Sequence, residues 1–376
     1  MELDFTEDQE ELRDGVRTML AGECPMTFVR SIVEDGTSVE PLWQQMVELG
    51  WPALTVPEEF GGLGLGAVEL AIVAEEMGRA VAPGPLLPTA AHFLPVVREL
   101  GSSEQQARFL GGVAEGTVTG ALALHETGHG VGLTGFATTA TETGDGLRLD
   151  GVKEYVLEAS TATDIAVVAR LAESDADDAV AVCVVPTADV RIEALTPFDA
   201  TRGLARVILD DVTVAADRVL GTPGTLAATG VERALQEAAT ATAAESVGAC
   251  QAIFDVTLDY AKQREQFGVP IGSFQAIKHK FADLIVALEK ARASAYFAAL
   301  TIAEDDERRA IATSAAKVAA ADCERMMSKE GIQIHGSIGY TWENDMHLYI
   351  RRAKTDTLLF GTPAEHRERI ARLLGL

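Results

Sequence analysis

Basic residues are scarce in this 376-residue chain: 31 lysines and arginines stand against 57 acids, for a formal charge of −26. Such a field repels phosphate backbones and anionic membrane surfaces, which argues against nucleic acid and membrane partners. Cysteine is sparse as well. Cys24, Cys183, Cys250 and Cys323 show no CxxC spacing, so they read as structural thiols of a reduced, cytoplasmic protein rather than a disulfide framework. The seven histidines include no HExxH or comparable spacing, and no metal site is expected. Apolar residues make up 47% of the chain, yet no run is long enough to span a bilayer. The opening MELDFTEDQEELRDGV lacks the basic start and apolar run of a secretory signal.

What is present falls into three regions. Residues 1–118 read as helical: Phe5, Leu12, Val16 and Leu20 follow helical spacing behind Thr6, an N-cap ahead of Glu7 and Asp8. PLWQQMVELG, AVELAIVAEEMGRAV and AAHFLPVVREL continue the helical pattern, punctuated by PEEFGGLGLG and PGPLLP. Residues 119–221 change character. GALALHE, ATTATETG, LRLDGVKEYVLE, DIAVVARL, AVAVCVVP, VRIEAL and ARVILDDVTV are short, rich in valine, isoleucine and alanine, and separated by Gly, Asp and Pro, as antiparallel strands are. Gly144-Asp145-Gly146 marks a hairpin. In 222–376 long helices return, over 225–263, from Ser273 onward, and over about 306–333. Phe274, Ile277, Phe281, Leu284, Ile285 and Leu288 form one stripe of the second. The fold class is α+β: a helical domain, a middle antiparallel β domain and a C-terminal helical bundle.

Two stretches of the last region carry chemistry. In QREQFGVPIGSFQAIKHK, Arg264 ends one helix, where a cation suits the dipole but also offers a planar fork to a phosphate. Phe274 and Gln275 open the next helix and can present a ring edge and an amide to a ligand. In IQIHGSIGYTWENDMHLYIRRAK, Gly336 and Gly339 flank a small pair and allow close backbone approach. Glu343, Asp345 and His347 read first as scaffold for Arg351.

Taken in order, Arg-x-x-Phe-Gly-x-Pro-Ile-x-x-Phe-Gln and then Gln-Ile-x-Gly-x-x-Gly-Tyr-x-x-Glu resemble the two C-terminal signatures of the acyl-CoA dehydrogenase family. DFTEDQEELRD is similar to that family's first helix, and LGWPALTVPEEFGGLGLGAVELAIVAEEMGRA to its PEExGGxGxxxxE segment. The resemblance implies a three-domain, FAD-dependent fold that removes two hydrogens from an acyl-CoA or acyl-carrier thioester to give the trans-2-enoyl product. It further implies a carboxylate that takes the α-proton, an electron-transfer flavoprotein or similar acceptor, and a homotetramer or a heterotetramer with a homologous chain. By resemblance Arg264 and Gln266 contact FAD phosphate and ribose. Phe274 and Gln275 sit against the same cofactor, and Gln333, Ile334, His335, Gly336 and Ser337 wrap its adenosine end across a subunit interface.

The sequence departs from the family in two places. The family's Thr-Glu-Pro-Gly-x-Gly-Ser segment over the flavin is matched here by His125-Glu126-Thr127-Gly128-His129-Gly130, which keeps Glu126 and the glycines. Its Trp-Ile-Thr/Ser becomes Tyr155-Val156-Leu157, where Tyr155 can stack but Leu157 has no hydroxyl. The base is the larger departure. The family's Tyr-Glu-Gly-Thr falls on Leu359-Phe360-Gly361-Thr362, so phenylalanine occupies the base position, while Gly361 and Thr362 keep the backbone that approaches cofactor and thioester. Branches that carry the glutamate on the long helix place it at Ala238, one residue and about 100° from Glu237. Glu245, in AATATAAESVGAC, is the other candidate, and otherwise pairs with a basic residue or a neighbouring subunit.

Two functions follow from these observations. One is an active dehydrogenase using Glu237 or Glu245. The other is a non-catalytic subunit that completes FAD sites on a partner. An oxidase or monooxygenase on the same fold has no residue in its favour.

Overall fold

The computed structural model describes residues 5–376 except His129, Val131, Asp175 and Asp177. Ahead of the sheet lie α1 (Glu7–Glu23), α2 (Met26–Asp35), α3 (Glu40–Glu48), α4 (Ala67–Ala80), α5 (Leu94–Leu100) and α6 (Ser103–Ala114). The sheet strands are β1 (Gly120–Ala123), β2 (Thr139–Thr143), β3 (Gly146–Leu157), β4 (Asp164–Leu171), β5 (Val180–Pro186), β6 (Arg191–Ala194), β7 (Leu204–Ala215) and β8 (Val219–Gly224). Then come α7 (Thr225–Gln263), a small hairpin of β9 (Glu265–Gln266) and β10 (Val269–Pro270), α8 (Gln275–Ala303), α9 (Arg309–His335), α10 (Met346–Asp356) and α11 (Pro363–Leu373). Helices, sheet, helices is the expected order.

The chain packs as two compact units. One gathers residues 1–37, 67–82 and 239–376; the other holds 38–66 and 83–238.

In the first unit, α1 starts where Thr6 and Gln9 cap each other, and it buries Val16 and Leu20. Phe5 meets Tyr296 edge-on with ring centroids 4.8 Å apart. α7 runs unbroken through Gly248, and the reason is a helix crossing. A Cβ on Gly248 would stand 1.8 Å from the Glu75 carbonyl oxygen, and one on Gly78 would stand 1.9 Å from that of Glu245. Only glycine permits backbones this close. Ala243, Ala298, Ala312, Ala316 and Ala320 do the same for α7, α8 and α9 in an alanine-lined core. The expected apolar stripe of α8 holds only in part. Leu284 and Leu288 are buried, but Phe274 and Ile285 face solvent, and the buried face continues instead as Ala291, Ala295, Ala298 and Ala299. Alanine gives a weak hydropathy signal, so the large side chains drew the stripe toward the wrong face.

In the second unit, the sheet runs β6-β7-β3-β2-β4-β5-β8 with β1 beside β4. The seven strands read from the sequence are all present, and the β2–β3 hairpin turns between Thr143 and Gly146. Two features correct the expectation. β4 runs parallel to β1 and to β2, so the sheet is mixed rather than wholly antiparallel. The chain reverses after β3 but steps past β2 before pairing, which leaves β4 pointing the same way as β2. β8 was hidden by Gly221, Pro223 and Gly224; it lies at the sheet's edge, where proline removes no ladder donor. Ala121, Leu149, Ile165, Val167, Cys183 and Val207 centre the core of one face.

Candidate functional site

On the sheet, β3 alternates between core and solvent as far as Asp150, and bulges break the alternation beyond it. Lys153 points inward and is fully buried, whereas Tyr155 points outward and is 54% exposed. The pairing with β7 is irregular between Lys153 and Val156, and Tyr155 takes a left-handed φ of 56° there. An exposed aromatic held in a backbone region that costs about 1–3 kcal/mol for a non-glycine residue points to a role outside the fold. Leu157 is buried and offers nothing outward. Glu126 is buried as well: its carboxylate takes a 2.7 Å bond from Lys153 Nζ and bonds of 2.6 and 3.1 Å from the Ala137 and Thr138 amides. Burial alone would raise its pKa, but Lys153 and these donors hold it below its ordinary value. Burial also draws Lys153 down to about 8 against the pull of Glu126. Among the described residues, Glu126 therefore serves the fold with its side chain, and only its backbone can meet an outside ligand. His129 lies outside the described residues. Sequence reasoning missed Lys153, because strict alternation in GVKEYVL with the valines inward would turn Lys153 outward with Tyr155, and the bulge that reverses this leaves no local signal.

In the first unit, the β9–β10 hairpin turns at Phe267 and Gly268, both with left-handed φ, and Phe267 is 93% exposed. Phe274 meets it edge-on at 6.1 Å. Arg264, Gln266 and Gln275 are exposed beside them. Among the described residues, no carboxylate pairs with Arg264, and no side-chain partner engages the amides of Gln266, Gln275 or Gln333. In a chain this acidic, an exposed guanidinium without a partner is an anion site in waiting. The end of α9 is joined to the same region through α7. Tyr260, one turn before Arg264, stacks on His335 with centroids 4.3 Å apart, and its hydroxyl reaches the His335 carbonyl at 3.4 Å. The sequence motifs thus converge. Within the second motif the roles divide. Gln333, Gly336 and Ser337 are exposed, whereas Ile334 and His335 are buried. His335 Nδ1 bonds the Gly331 carbonyl at 2.9 Å, and burial lowers its pKa. Around Arg351, Trp342 lies under the guanidinium at 6.0 Å and stacks on His347, while Asp345 pairs with Arg30.

The turn after α10 is built with care. Phe360 is buried with a left-handed φ of 54°, and Gly361 follows at 121°. Lys317, buried on α9, donates to the carbonyls of Asp356 and Leu359, the latter at 2.7 Å. His366 Nε2 bonds the Phe360 carbonyl at 3.1 Å, and its Nδ1 lies 3.3 Å from Ser314 Oγ. The carbonyl fixes the tautomer: Nε2 carries the hydrogen, so Nδ1 accepts from the serine. Thr362 caps α11 in a reciprocal box with Glu365, which occupies its hydroxyl.

Both acids considered as bases are engaged. Glu237 is buried and ion-paired with Arg98 in the second unit. Glu245, in the first unit, lies 2.9 Å from Arg352, whose guanidinium also donates to the Ala82 carbonyl at 3.0 Å. Side-chain exposures of 1% and 3% make this a sealed pair. Cys24 borders a crevice lined by Arg17, Glu76, Arg79 and Tyr349, and burial pushes its thiol up to about 12.

A mixed sheet in one unit and, in the other, a helical bundle with an exposed guanidinium, amides and aromatics at its helix ends are the parts of an acyl-CoA dehydrogenase-type fold. The description "Acyl-CoA dehydrogenase, N-terminal domain" matches residues 6–117, and "Acyl-CoA dehydrogenase, C-terminal domain" matches 220–375. The chain belongs to the acyl-CoA dehydrogenase family, whose members are FAD-dependent oxidoreductases. It is 33% identical to acyl-CoA dehydrogenase IpdE2 of Mycobacterium tuberculosis over 96% of this chain and 95% of that one. It is 32% identical to the probable acyl-CoA dehydrogenase YngJ of Bacillus subtilis over the full length of both. Among solved structures, the ChsE4-ChsE5 complex from Mycobacterium tuberculosis matches with a TM-score of 0.89 at 25% identity, covering 100% of this chain and 99% of that one.

Proposed function

We propose that this chain acts in FAD-dependent oxidation of an acyl-CoA thioester as a subunit that builds cofactor sites, while a homologous partner chain supplies the proton-abstracting carboxylate. The observation that carries the reading is the state of the three candidate base positions. Phe360 holds the family's position with a hydrocarbon ring, and Glu237 and Glu245 are each bound to an arginine. A buried carboxylate bonded to a guanidinium has its oxygens engaged and held in place, so it is not free to reach a thioester α-carbon.

The exposed residues fit FAD. Arg264 would take a phosphate, Gln266 and Gln275 would bond ribose or ring polar groups, and Phe267 and Phe274 would shield them from water. Gln333, Ser337 and the Gly336 backbone suit the adenosine end, and Tyr155 suits an isoalloxazine face. The Gly361-Thr362 backbone would border the thioester. When bound, FAD supplies the acceptor for the substrate's β-hydride, and the trans-2-enoyl thioester is the product. The exposed Phe267, Val286 and Tyr340 suit burial against another chain, in a heterotetramer with an electron-transfer flavoprotein or similar acceptor downstream. The solved ChsE4-ChsE5 complex, of two differently named chains, supports a mixed assembly. No helix of the described residues is long and apolar enough to cross a membrane, in keeping with work in the cytoplasm.

The test is co-expression with homologous acyl-CoA dehydrogenase chains of the same organism. A complex that is yellow and active, against a lone chain that holds little flavin, is the expected result. An active lone chain returns the function to the first reading, with Glu237 or Glu245 as base.

A further inference from the structure

Two short stretches of the second unit, residues 124–126 and 136–138, are held together by a single buried cation. Lys153 Nζ donates to Glu126 Oε1 at 2.7 Å and to the Leu124 carbonyl at 3.1 Å, and it stands 4.0 Å from the centre of the Phe136 ring. Glu126 completes the arrangement by accepting from the amides of Ala137 and Thr138. The other side of the same strand is tied in next door. The Glu154 amide donates to the His125 carbonyl at 2.8 Å, and Glu154 is paired with Arg206 at 2.8 Å. Tyr155 follows immediately, exposed and left-handed. Among the described residues, Glu126 is the charged group that faces the ammonium; Glu154, on the same strand, points away toward Arg206.

We propose that Lys153, acting through Glu126, is a positioning residue: it joins the 124–126 and 136–138 stretches and thereby sets the backbone around His125 and the outward bulge at Tyr155. A buried pair is a poor source of net stability, since well-packed apolar residues replace such pairs at little loss. What apolar replacements cannot reproduce here is the acceptor for two backbone amides and the donor to a carbonyl. The pair is retained for geometry. The proposal rests on the reading of this face as the flavin face, and its test separates the two.

The test uses E126L/K153M, which removes both charges together, and reads amide exchange in the lone chain and flavin retention in the assembly with its partner. The expected result is an unfolding midpoint lowered by the loss of partners at the Ala137 and Thr138 amides and the Leu124 carbonyl, exchange at Ala137 and Thr138 faster by at least about tenfold, and flavin release faster by at least about fivefold. Unchanged exchange and unchanged flavin release overturn the proposal. Faster exchange with unchanged flavin release overturns it too, because the stretches would then be held for the fold alone. If the double variant does not fold, E126Q decides in its place: it keeps an oxygen acceptor but loses the charge, and both rates are expected to rise at least about threefold. Unaltered rates in that variant overturn the proposal. An assembly that holds no flavin before any substitution refutes the flavin reading instead, and amide exchange then judges the link between the two stretches by itself.

Discussion

Arg352 Nη1 lies 2.9 Å from Glu245 Oε1, and both side chains are sealed from water where α4 and α7 cross. The acid that stands out in the apolar run AATATAAESVGAC is therefore half of an internal ion pair. Removing one partner strands the other charge, so E245A or R352M is expected to cost about 3–5 kcal/mol in urea unfolding. E245L/R352M, which removes both charges, is expected to recover most of that loss. A double variant as unstable as the sum of the singles would contradict the pairing.

The crossing itself depends on two glycines. G248A would drive a methyl carbon into the Glu75 carbonyl, where the separation is only 1.8 Å. Helix propensity favours alanine by about 1 kcal/mol, but the helices must separate to admit it. A net loss of several kcal/mol in thermal or urea unfolding is expected, and a stabilised variant would refute the close approach.

His366 gives the fold a dependence on acid. Burial first, and Lys317 next, lower its pKa to about 4 from an ordinary 6.5. Between those values the unfolded chain binds a proton that the folded chain refuses. Stability from this group is complete above pH 6.5 and is lost as pH falls toward 4, by up to about 3 kcal/mol. Urea midpoints measured across that range are expected to fall in the unaltered chain and to flatten in H366L.

Tyr155 is expected to show opposite effects on fold and function. Its ring is exposed, so Y155G sacrifices little burial while relieving a left-handed backbone. Strain relief of about 1–3 kcal/mol offsets glycine's entropic cost of about 0.5–1 kcal/mol. The melting temperature is expected to hold or rise, while flavin retention in the assembly falls. Loss of both together would mean that Tyr155 serves the fold.

Much of the fold was legible because its signals are local. Thr6 as a cap, the Gly144-Asp145-Gly146 hairpin and the helices flanking Arg264 depend on neighbours in sequence. What escaped depends on distant partners. The parallel placing of β4 follows from a step past β2 that no strand announces. β8 is disguised by Pro223, tolerated only because the strand is an edge. For the site, the motifs named Arg264, Gln266, Gln275 and Gln333 as cofactor contacts, and the structure leaves their side chains exposed. The inward turn of Ile334, His335 and Glu126 was not legible, because a motif records which residues recur and not which way each side chain faces. Glu237 and Glu245 are alike in sequence as isolated acids; only the fold supplies Arg98 and Arg352.

The central claim is that the proton-abstracting carboxylate is not in this chain. It is tested most directly by the rate at which an acyl-CoA bleaches the flavin, without oxygen, in the assembly carrying either E237Q or E245L/R352M. The account predicts rates within about threefold of the unaltered assembly for both. A fall of about 10²–10⁴-fold in either, the loss expected on removing a general base, would place the base on α7 of this chain and contradict the account.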